Sequence, residues 1–368
     1  MNFLFLEPFF GGSHKDFAEG LIDHSRHNID LVTLPARFWK WRMRGAALYF
    51  LKKITSLEKY NGLIVTDLMS LSDLKALSKN PFPPALVYFH ENQFSYPLAP
   101  GEQVDYQFGF TDITTALAAD RILFNSHTHY DAFFSKLPGF IKMMPDFLPG
   151  WVTEEIKGKS SVIYPGCQFP AAGKEKSSPA KRSSPPIIIW NHRWEFDKNP
   201  EDFFGALDCM LQKGVDFRLV LLGENFQKKP AEFLSARERY GDRIIQYGYV
   251  DSKQDYLQWL KKGSIVVSTA RQENFGISII EAIRYGCIPV LPNRLSYPEI
   301  IPGKFHSDIL YNTQEELVDR LSAILQNHHR FQKTGEELSM LMGNFAWEKI
   351  IVKYDEVLDK LSQSKIKT

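Results

Sequence analysis

Two glutamates eight positions apart stand at the end of a predicted buried strand and in the helix after it. In the segment Ser268 to Gly286, STARQENFGISIIEAIRYG, Glu273 lies in a loop and Gly276 opens a helix that contains Glu281. The amides at a helix start can receive anionic oxygens, and Glu281 can accept hydrogen bonds from a polyol such as a ribose. The alternative is an acid that favours the helix dipole, together with one solvated glutamate.

Two cations lie at the end of another predicted strand, Ile187 to Trp190. The sequence that follows, NHRWEFDKNP, contains Arg193 and Lys198 ahead of a helix. Two cations at the carboxyl end of a strand are suited to clamp a diphosphate. Each cation alone could equally be an ordinary surface charge. Because both occur at the same kind of strand end as Glu273, we favour a diphosphate site.

A glycine pair joins the first predicted strand to the first predicted helix, Lys15 to His24. Gly11 and Gly12 precede Ser13, and paired glycines allow backbone amides to approach a phosphate or a sugar closely. The same pair could be an ordinary turn. Neither GxGxxG nor GxxxxGK[ST] occurs in the chain, which counts against nicotinamide-dependent and ATP-hydrolysing enzymes.

His90 follows the predicted strand Ala85 to Phe89 and begins a polar segment that includes Asn92 and Gln93. A histidine at a strand end can orient or protonate a substrate, or it can be a hydrogen-bonded turn residue. The tripeptide HEN lacks the second histidine of HExxH, and Asp-x-Asp does not occur in the sequence. We therefore predict that the protein binds no metal and requires no cofactor.

The elements that would position these residues alternate between strand and helix patterns. Apolar runs such as Asn2 to Leu6 and Arg121 to Asn125 precede helical patterns, and the alternation resumes from Ile187. This order predicts an α/β fold with two doubly wound parallel sheets, whose ligands bind beyond the carboxyl ends of the strands in a cleft between domains. Residues 173–186, GKEKSSPAKRSSPP, have the composition of a linker. We predict domains over residues 1–172 and 187–344, the linker over 173–186, and a final helix within 345–368 that packs back on the first domain.

Composition and charge exclude several classes of protein. The 368 residues are 44% hydrophobic and 24% charged, which is typical of a folded globular chain and not of a disordered or fibrous one. The net charge of +1 rules out a polycation that holds nucleic acid by bulk charge. Three isolated cysteines indicate a reducing compartment, and no run of 18 apolar residues occurs. We predict a cytoplasmic protein without integral membrane contact.

The order of these motifs resembles that of the GT-B glycosyltransferases of family 4. A glycine pair near the N-terminus is followed by Arg193 and Lys198, by Gly248 after a late strand, and by Glu273 and Glu281. Longer strings resemble the tRNA-queuosine mannosyltransferases across almost the whole chain. These strings are EPFFGGSHK, LPARFWKWRMRGAALYF, YFHENQFSYP, NHRWEFDKNPE and SYPEI.

The resemblance implies a GT-B fold of two Rossmann-like domains, with the acceptor on the first and the nucleotide sugar on the second. It implies retaining transfer of mannose from GDP-mannose to the cyclopentenediol of queuosine in the anticodon of a tRNA, of the tRNA-Asp type. The implied partners are a nucleotide sugar and queuosine-containing tRNA, and no oligomeric state is implied. Arg193 and Lys198 would neutralise the leaving diphosphate, Glu273 would hold sugar hydroxyls, His90 would orient the sugar, and the donor would also contact Gly11, Gly12, Ser13, Tyr247, Gly248, Tyr249, Val250, Asn274, Phe275, Gly276 and Glu281.

Residues 37–53, RFWKWRMRGAALYFLKK, combine cations with aromatic rings and contain no acid. Cations can meet phosphates and aromatic faces can stack on unpaired bases, as a single-stranded anticodon loop would require. An amphipathic helix with its aromatics in the core, or a basic helix at a membrane surface, would have the same composition. The candidate acceptor-binding residues are Arg37, Trp39, Trp41, Arg42 and Arg44, together with Asn92 and Gln93.

Two other functions share some of these features. A family 4 glycosyltransferase that acts on a lipid-linked or polysaccharide acceptor would have the same donor site, so the acceptor surface alone separates it from the tRNA enzyme. A catalytically idle RNA-binding module would not bind a nucleotide sugar. The hexose is also open, because one or two side chains in such a pocket can change the sugar to galactose or another hexose.

Overall fold

The computed structural model describes residues 1–79, 81–97, 101, 103–169, 184–223 and 230–363. The chain forms two compact units, one of Met1–Gln168 with Phe345–Thr368 and the other of Phe169–Asn344. Most of the predicted linker, residues 173–186, lies outside the described residues. In the part of the chain that is described, no helix has both the length and the apolar content needed to cross a bilayer.

The first unit is built on a parallel sheet with helices packed against it. In chain order its elements are β1 (Asn2–Phe10), α1 (Gly12–His24), β2 (Asn28–Pro35), α2 (Trp39–Lys53), β3 (Gly62–Thr66), α3 (Leu71–Leu77), β4 (Ala85–Phe89), α4 (Tyr106–Ala118), β5 (Arg121–Phe124), α5 (His127–Ile141), α6 (Trp151–Lys157) and β6 (Ser160–Val162). The strand order is β2-β1-β3-β4-β5-β6. Strands β3 and β4 are buried along their whole length, as expected where helices cover both faces of a parallel sheet.

The second unit repeats this plan. Its elements are β7 (Ile187–Asn191), α7 (Pro200–Gln212), β8 (Arg218–Leu222), α8 (Ala231–Tyr240), β9 (Ile244–Gly248), α9 (Lys253–Lys262), β10 (Ile265–Val267), α10 (Ile277–Arg284), β11 (Ile288–Pro292), α11 (Tyr297–Ile300), α12 (His306–Ile309), β12 (Leu310–Tyr311), α13 (Gln314–Gln326) and α14 (His328–Met342). The strand order is β12-β11-β10-β7-β8-β9, and the paired strands are parallel. The carboxyl ends of β7 and β10, which carry the predicted donor-site motifs, are therefore neighbours at one edge of this sheet.

The last helix, α15 (Trp347–Gln363), belongs to the first unit. Trp347 is 1% exposed, and its indole lies against Gly20 and Gly166, where a Cβ atom would come within 2.0 and 2.1 Å of the ring. The hydroxyl of Tyr354 donates to the carbonyl of Ile163 at 3.2 Å. Buried positions recur along one face of the helix with the spacing of an amphipathic helix: Trp347, Ile350, Ile351, Tyr354, Leu358 and Leu361.

Several elements, among them helices α1, α4 and α5, differ from the sequence-based expectations. Helix α1 begins at Gly12, which has φ of +52°, instead of at Lys15. The sequence pattern predicts a helix over Thr128 to Ser135, whereas helix α5 continues through Pro138 to Ile141, because the carbonyl of Pro138 still accepts from Lys142 and the helix buries an apolar face. Helix α4 was not predicted, since its run of Thr and Ile residues has strand propensity. Its burial against the sheet outweighs that propensity.

Candidate functional site

The Lys198 side chain is buried at the carboxyl end of β7, in a 3₁₀ turn formed by Phe196–Lys198. Its Nζ atom lies 3.1 Å from Oδ2 of Asp197 and 3.5 Å from Oε2 of Glu273, and it donates to the carbonyl of Gln272 at 2.6 Å. Only 8% of the side chain is exposed. An ammonium group is stable in such a place only with acids and carbonyls around it, so Lys198 ties the turn after β7 to the loop after β10.

Arg193, the second predicted cation, has a different environment. Its side chain is 44% exposed, and its guanidinium lies 3.4 Å from Oε2 of the buried Glu195. Arg193 is therefore exposed enough to contact a ligand from solvent, whereas the ammonium of Lys198 already contacts acids and a carbonyl of the protein. The two cations lie at the same strand end, as predicted, but they are not equivalent.

The loop that carries Glu273 is held by several hydrogen bonds. The hydroxyl of Ser296 donates to the carbonyl of Phe275 at 2.9 Å, and the side-chain amide of Gln272 donates to Oδ1 of Asn274 at 3.0 Å. Gly276 caps α10 with φ of +93°, a conformation that favours glycine. The Glu273 side chain, which is 18% exposed, lies close to this cap, because a Cβ atom at Gly276 would come within 3.7 Å of its Cγ atom.

Glu281 is buried in α10 and already has two protein partners. Its Oε1 atom lies 2.7 Å from Nζ of Lys253, and its Oε2 atom accepts from the hydroxyl of Tyr256 at 3.1 Å. Both partners are on α9. A ribose that reaches Glu281 would have to share its oxygens with Lys253, whose side chain is 46% exposed.

The predicted base pocket lies at the end of β9. The hydroxyl of Tyr247 donates to the carbonyl of Phe233, and the guanidinium of Arg237 lies 4.4 Å from the Tyr247 ring centroid. Gly248 has φ of +107° and Tyr249 is 58% exposed, while Val250 is half-buried. The positive φ of Gly248 turns the chain out of the sheet, so that Tyr249 presents an aromatic ring to solvent.

The glycine pair of the first unit is followed by His14, which lies against the buried carboxylate of Glu7. Gly11, Gly12 and Ser13 form the start of α1, and His14 follows them in its first turn. The Nδ1 atom of His14 lies 3.2 Å from Oε1 of Glu7, which is fully buried in β1. Burial lowers the pKa of His14, but the charge and hydrogen bond of Glu7 outweigh it, and the net pKa is raised.

His90 lies against His14 at the end of β4. The two rings are stacked, with centroids 3.8 Å apart and planes at 25°. The backbone amide of His90 donates to Oδ1 of the buried Asp67 at 2.8 Å. Burial, followed by His14 and His129, lowers the pKa of His90 well below its usual value. His90 is therefore a neutral imidazole at neutral pH.

Asn92 and Gln93 shape the turn that follows His90. Oδ1 of Asn92 accepts from the backbone amides of Phe94 and Ser95 at 3.0 and 2.9 Å, and the Asn92 side chain is buried. The backbone amide of Gln93 donates to the buried Asp112 at 2.8 Å. In the structure, the Asn92 side-chain oxygen thus accepts hydrogen bonds within the turn. An acceptor substrate that contacted this oxygen would have to share it with the two backbone amides.

The basic aromatic segment forms α2 and is divided between core and solvent. Trp41 is 77% exposed, and Arg37 and Arg44 are also exposed, whereas the Trp39 ring packs 5.2 Å from that of Phe108. The half-buried Arg42 donates to the carbonyl of Pro35 at 3.2 Å. The buried face consists of Met43, Ala46, Ala47 and Phe50. The helix is therefore amphipathic, but some of its aromatic side chains lie on the solvent side.

The metal-binding potential of the described residues is concentrated at Glu7, His14 and His90. Their ligand atoms lie within 4.8 Å of one another. The two imidazoles are stacked with planes at 25°, so their nitrogen lone pairs lie in two nearly parallel planes and are poorly placed to converge on one ion. The arrangement suits a pair of imidazoles better than the ligands of one ion.

Several residues of both sites were not singled out from the sequence. Glu7 and Asp67 could have been noticed, because each is an acid within or directly after an apolar strand and must find a partner there. Asp197 is adjacent to a predicted site residue. Lys253 and Tyr256 left no comparable signal, since their contact with Glu281 depends on how α9 packs beside α10.

Comparison with known proteins defines the class of this protein. Residues 172–338 match the family Glycosyl transferases group 1. Sucrose-phosphate synthase from Thermosynechococcus elongatus superimposes with a TM-score of 0.76 at 14% identity, over 99% of this chain and 100% of that one. Anabaena HepE in complex with UDP gives 0.67 at 14% identity, over 98% and 100% of the two chains. The fold is that of the GT-B glycosyltransferases, as predicted.

The sequence comparisons narrow the class to a family. Residues 2–167 match the family tRNA-queuosine alpha-mannosyltransferase N-terminal. The tRNA-queuosine alpha-mannosyltransferase of Drosophila melanogaster is 34% identical over 98% of this chain and 97% of its own length. A Xanthomonas oryzae pv. oryzae GDP-mannose:cellobiosyl-diphosphopolyprenol alpha-mannosyltransferase is 21% identical over 52% of this chain and 50% of its own. The chain belongs to the tRNA-queuosine alpha-mannosyltransferase family, which confirms the resemblance.

The buried position of Lys198 predicts a stability effect. Replacing Lys198 by Met should lower the free energy of unfolding by about 3 to 5 kcal/mol, because Asp197 would remain buried without its counter-ion. The exposed Lys213 is the matched control, and Lys213→Met should change it by less than about 0.5 kcal/mol. Urea unfolding measures both. Adding Asp197→Asn to Lys198→Met should recover part of the loss, and equal stability of the two lysine variants would contradict the buried pair.

Proposed function

We propose that this protein transfers mannose from GDP-mannose to the cyclopentenediol of queuosine in a tRNA anticodon, with retention of the anomeric configuration. The observation that carries the proposal is the 34% identity to the Drosophila tRNA-queuosine alpha-mannosyltransferase over 98% of the chain. The match of residues 2–167 to the family-specific N-terminal domain adds support on the acceptor side. The proposal includes a cytoplasmic location and requires neither a metal nor another cofactor.

The second unit would bind the donor. When the bond between mannose and phosphate breaks, negative charge accumulates on the diphosphate, so a cation at that place stabilises the transition state more than the ground state. Arg193 is the proposed contact, because it is exposed at the carboxyl end of β7. Lys198 would not contact the donor itself but would hold the loop of Glu273 in place. The Glu273 carboxylate would accept hydrogen bonds from sugar hydroxyls. The amides at the start of α10 would receive phosphate oxygens.

Glu281 and the end of β9 would bind the nucleoside part of the donor. Glu281 would accept from the ribose hydroxyls, with Lys253 and Tyr256 holding the carboxylate in position. The exposed ring of Tyr249 offers a surface on which a guanine can stack. The departing phosphate oxygen would take the proton of the acceptor hydroxyl, and His90 would orient the sugar.

The exposed face of α2 would meet the tRNA. Trp41 offers an aromatic face for an unpaired base, and Arg37, Lys40 and Arg44 lie exposed near it in the sequence to meet phosphates. A lipid-linked acceptor would require neither feature. The first unit also offers Asn92 and Gln93 beside His90 as acceptor contacts.

The transfer itself is the direct test. Purified protein is incubated with GDP-mannose, and separately with GDP-glucose, UDP-galactose and UDP-glucose, in the presence of queuosine-containing or queuosine-lacking tRNA. The nucleosides are then analysed by mass spectrometry. We expect a gain of one hexose on queuosine, from GDP-mannose alone. Gain from a different donor would correct the sugar, and donor binding without any gain on queuosine would favour a lipid or polysaccharide acceptor.

The acceptor surface predicts a separable effect on RNA binding. Trp41→Ala should weaken binding of queuosine-containing tRNA by roughly 5-fold to 150-fold, since stacking on one base contributes about 1 to 3 kcal/mol. GDP affinity should not change. Met340→Ala, at a side chain that is 71% exposed in α14, is the control. Filter binding of tRNA and calorimetry of GDP measure the two effects. Unchanged tRNA affinity in Trp41→Ala would remove α2 from the interface.

A further inference from the structure

We propose that Glu7 and His14 form a positioning pair for the transfer reaction, in which Glu7 holds His14 against the face of His90 and thereby fixes the His90 ring. The consequence for transfer rests on the proposed function, in which His90 orients the donor sugar. The structural part concerns only residues of the first unit and can be tested without any substrate.

Glu7 is the first part of the pair. It is fully buried in β1, between apolar neighbours, and its Oε1 atom accepts from the backbone amide of Phe9 at 2.7 Å. The same oxygen lies 3.2 Å from Nδ1 of His14. A carboxylate in this position carries a desolvation cost that a leucine would not incur. The contacts that offset this cost go to the amide of Phe9 in the same strand and to His14, so Glu7 links the end of β1 to the first turn of α1.

His14 transmits this contact to His90. The two rings are stacked with centroids 3.8 Å apart, and the ring of Phe17 meets His90 edge-on at 5.2 Å and 89°. Tyr88 makes a second edge contact with His90 at 4.8 Å. The backbone of His90 is fixed separately by its hydrogen bond to Asp67. With its ring in contact with His14, Phe17 and Tyr88, His90 keeps one orientation only while His14 stays in place.

The pKa values of the two imidazoles are shifted in opposite directions. Burial lowers the pKa of His14, but Glu7 foremost, with Asp67 and Glu91, raises it above its usual value. Burial, His14 and His129 lower the pKa of His90 well below its usual value. The pKa values of the two rings are thus driven in opposite directions, and neighbouring groups with pKa values driven apart have distinct roles. His14 also follows directly after Gly11, Gly12 and Ser13, the segment predicted to approach the diphosphate.

The conservative variant Glu7→Gln tests the pair. The amide keeps the size of the side chain and can still accept from Phe9, but it removes the charge beside His14. The protein is labelled with ¹³C-histidine, and the NMR signal of the His14 ring is assigned by its loss in His14→Gln. In Glu7→Gln, the midpoint of the pH-dependent chemical-shift change of this signal should lie at lower pH than in the wild type. The kcat of transfer should fall by roughly tenfold or more, because the His90 ring would no longer be held in one orientation. The affinity for GDP should stay within about twofold of the wild type, because the sugar that His90 orients is absent from GDP.

The pH profile gives a readout that a purely structural role would not move. The contact between Glu7 and His14 is strongest when the imidazole is protonated. Wild-type transfer should therefore fall as the pH rises through the raised pKa of His14, and in Glu7→Gln this limb should move to lower pH. Glu19→Gln, at an exposed acid of α1 paired with Lys15, should leave titration and rate unchanged. The double variant Glu7→Gln with His14→Gln should be no slower than His14→Gln alone, because the two residues act as one unit.

Several results would overturn the pair. One is a wild-type His14 that titrates at or below the ordinary histidine value, and another is a Glu7→Gln variant with the wild-type titration and pH profile. Should Glu7→Gln not fold, His14→Gln decides, and wild-type turnover in that variant would refute the role. Loss of activity on addition of EDTA would indicate a metal site instead. If the wild type transfers no sugar to queuosine, the proposed function fails, but the His14 titration still decides the structural part.

Discussion

A charge buried at the carboxyl end of a parallel sheet must be neutralised within the few ångströms around it, and each unit of this protein meets that requirement with its own set of partners. In the second unit, Lys198 lies among Asp197, Glu273 and the carbonyl of Gln272. In the first, Glu7 lies against His14. These contacts are costly to form in a dry environment and costly to break, so they fix the loops in which they occur.

The loops fixed in this way carry residues that the sequence predicts for the site. Lys198 is buried among Asp197, Glu273 and Gln272, whereas Arg193 at the same strand end has a large exposed surface. Because His14 stacks on His90, the neutral imidazole of His90 has a defined orientation beside the turn of Asn92 and Gln93. In both units, a buried acid with a basic partner thus lies next to a residue that the sequence predicts for the site.

Much of this organisation follows from the sequence, for physical reasons that also explain the exceptions. Short apolar runs such as Ile187 to Trp190, rich in β-branched residues and preceded by proline, favour buried strands, and the residues after a strand lie at the sheet edge. The proximity of Lys198 to Glu273 follows from that rule. Helix α4 could not be predicted, because its threonines and isoleucine favour a strand and only packing against the sheet makes them helical. The contact of Lys253 with Glu281 could not be predicted either, because it depends on the placement of two helices.

We propose that Arg193, and not the buried Lys198, meets the diphosphate of the donor. Calorimetry of GDP and GMP with the wild type and with Arg193→Met tests it directly, since the two nucleotides differ by one phosphate. The wild type should bind GDP at least about tenfold more tightly than GMP, in line with charge-assisted hydrogen bonds of 1.5 to 3 kcal/mol. Arg193→Met should lose this difference and keep its affinity for GMP. An unchanged ratio of the two affinities in Arg193→Met would contradict the claim.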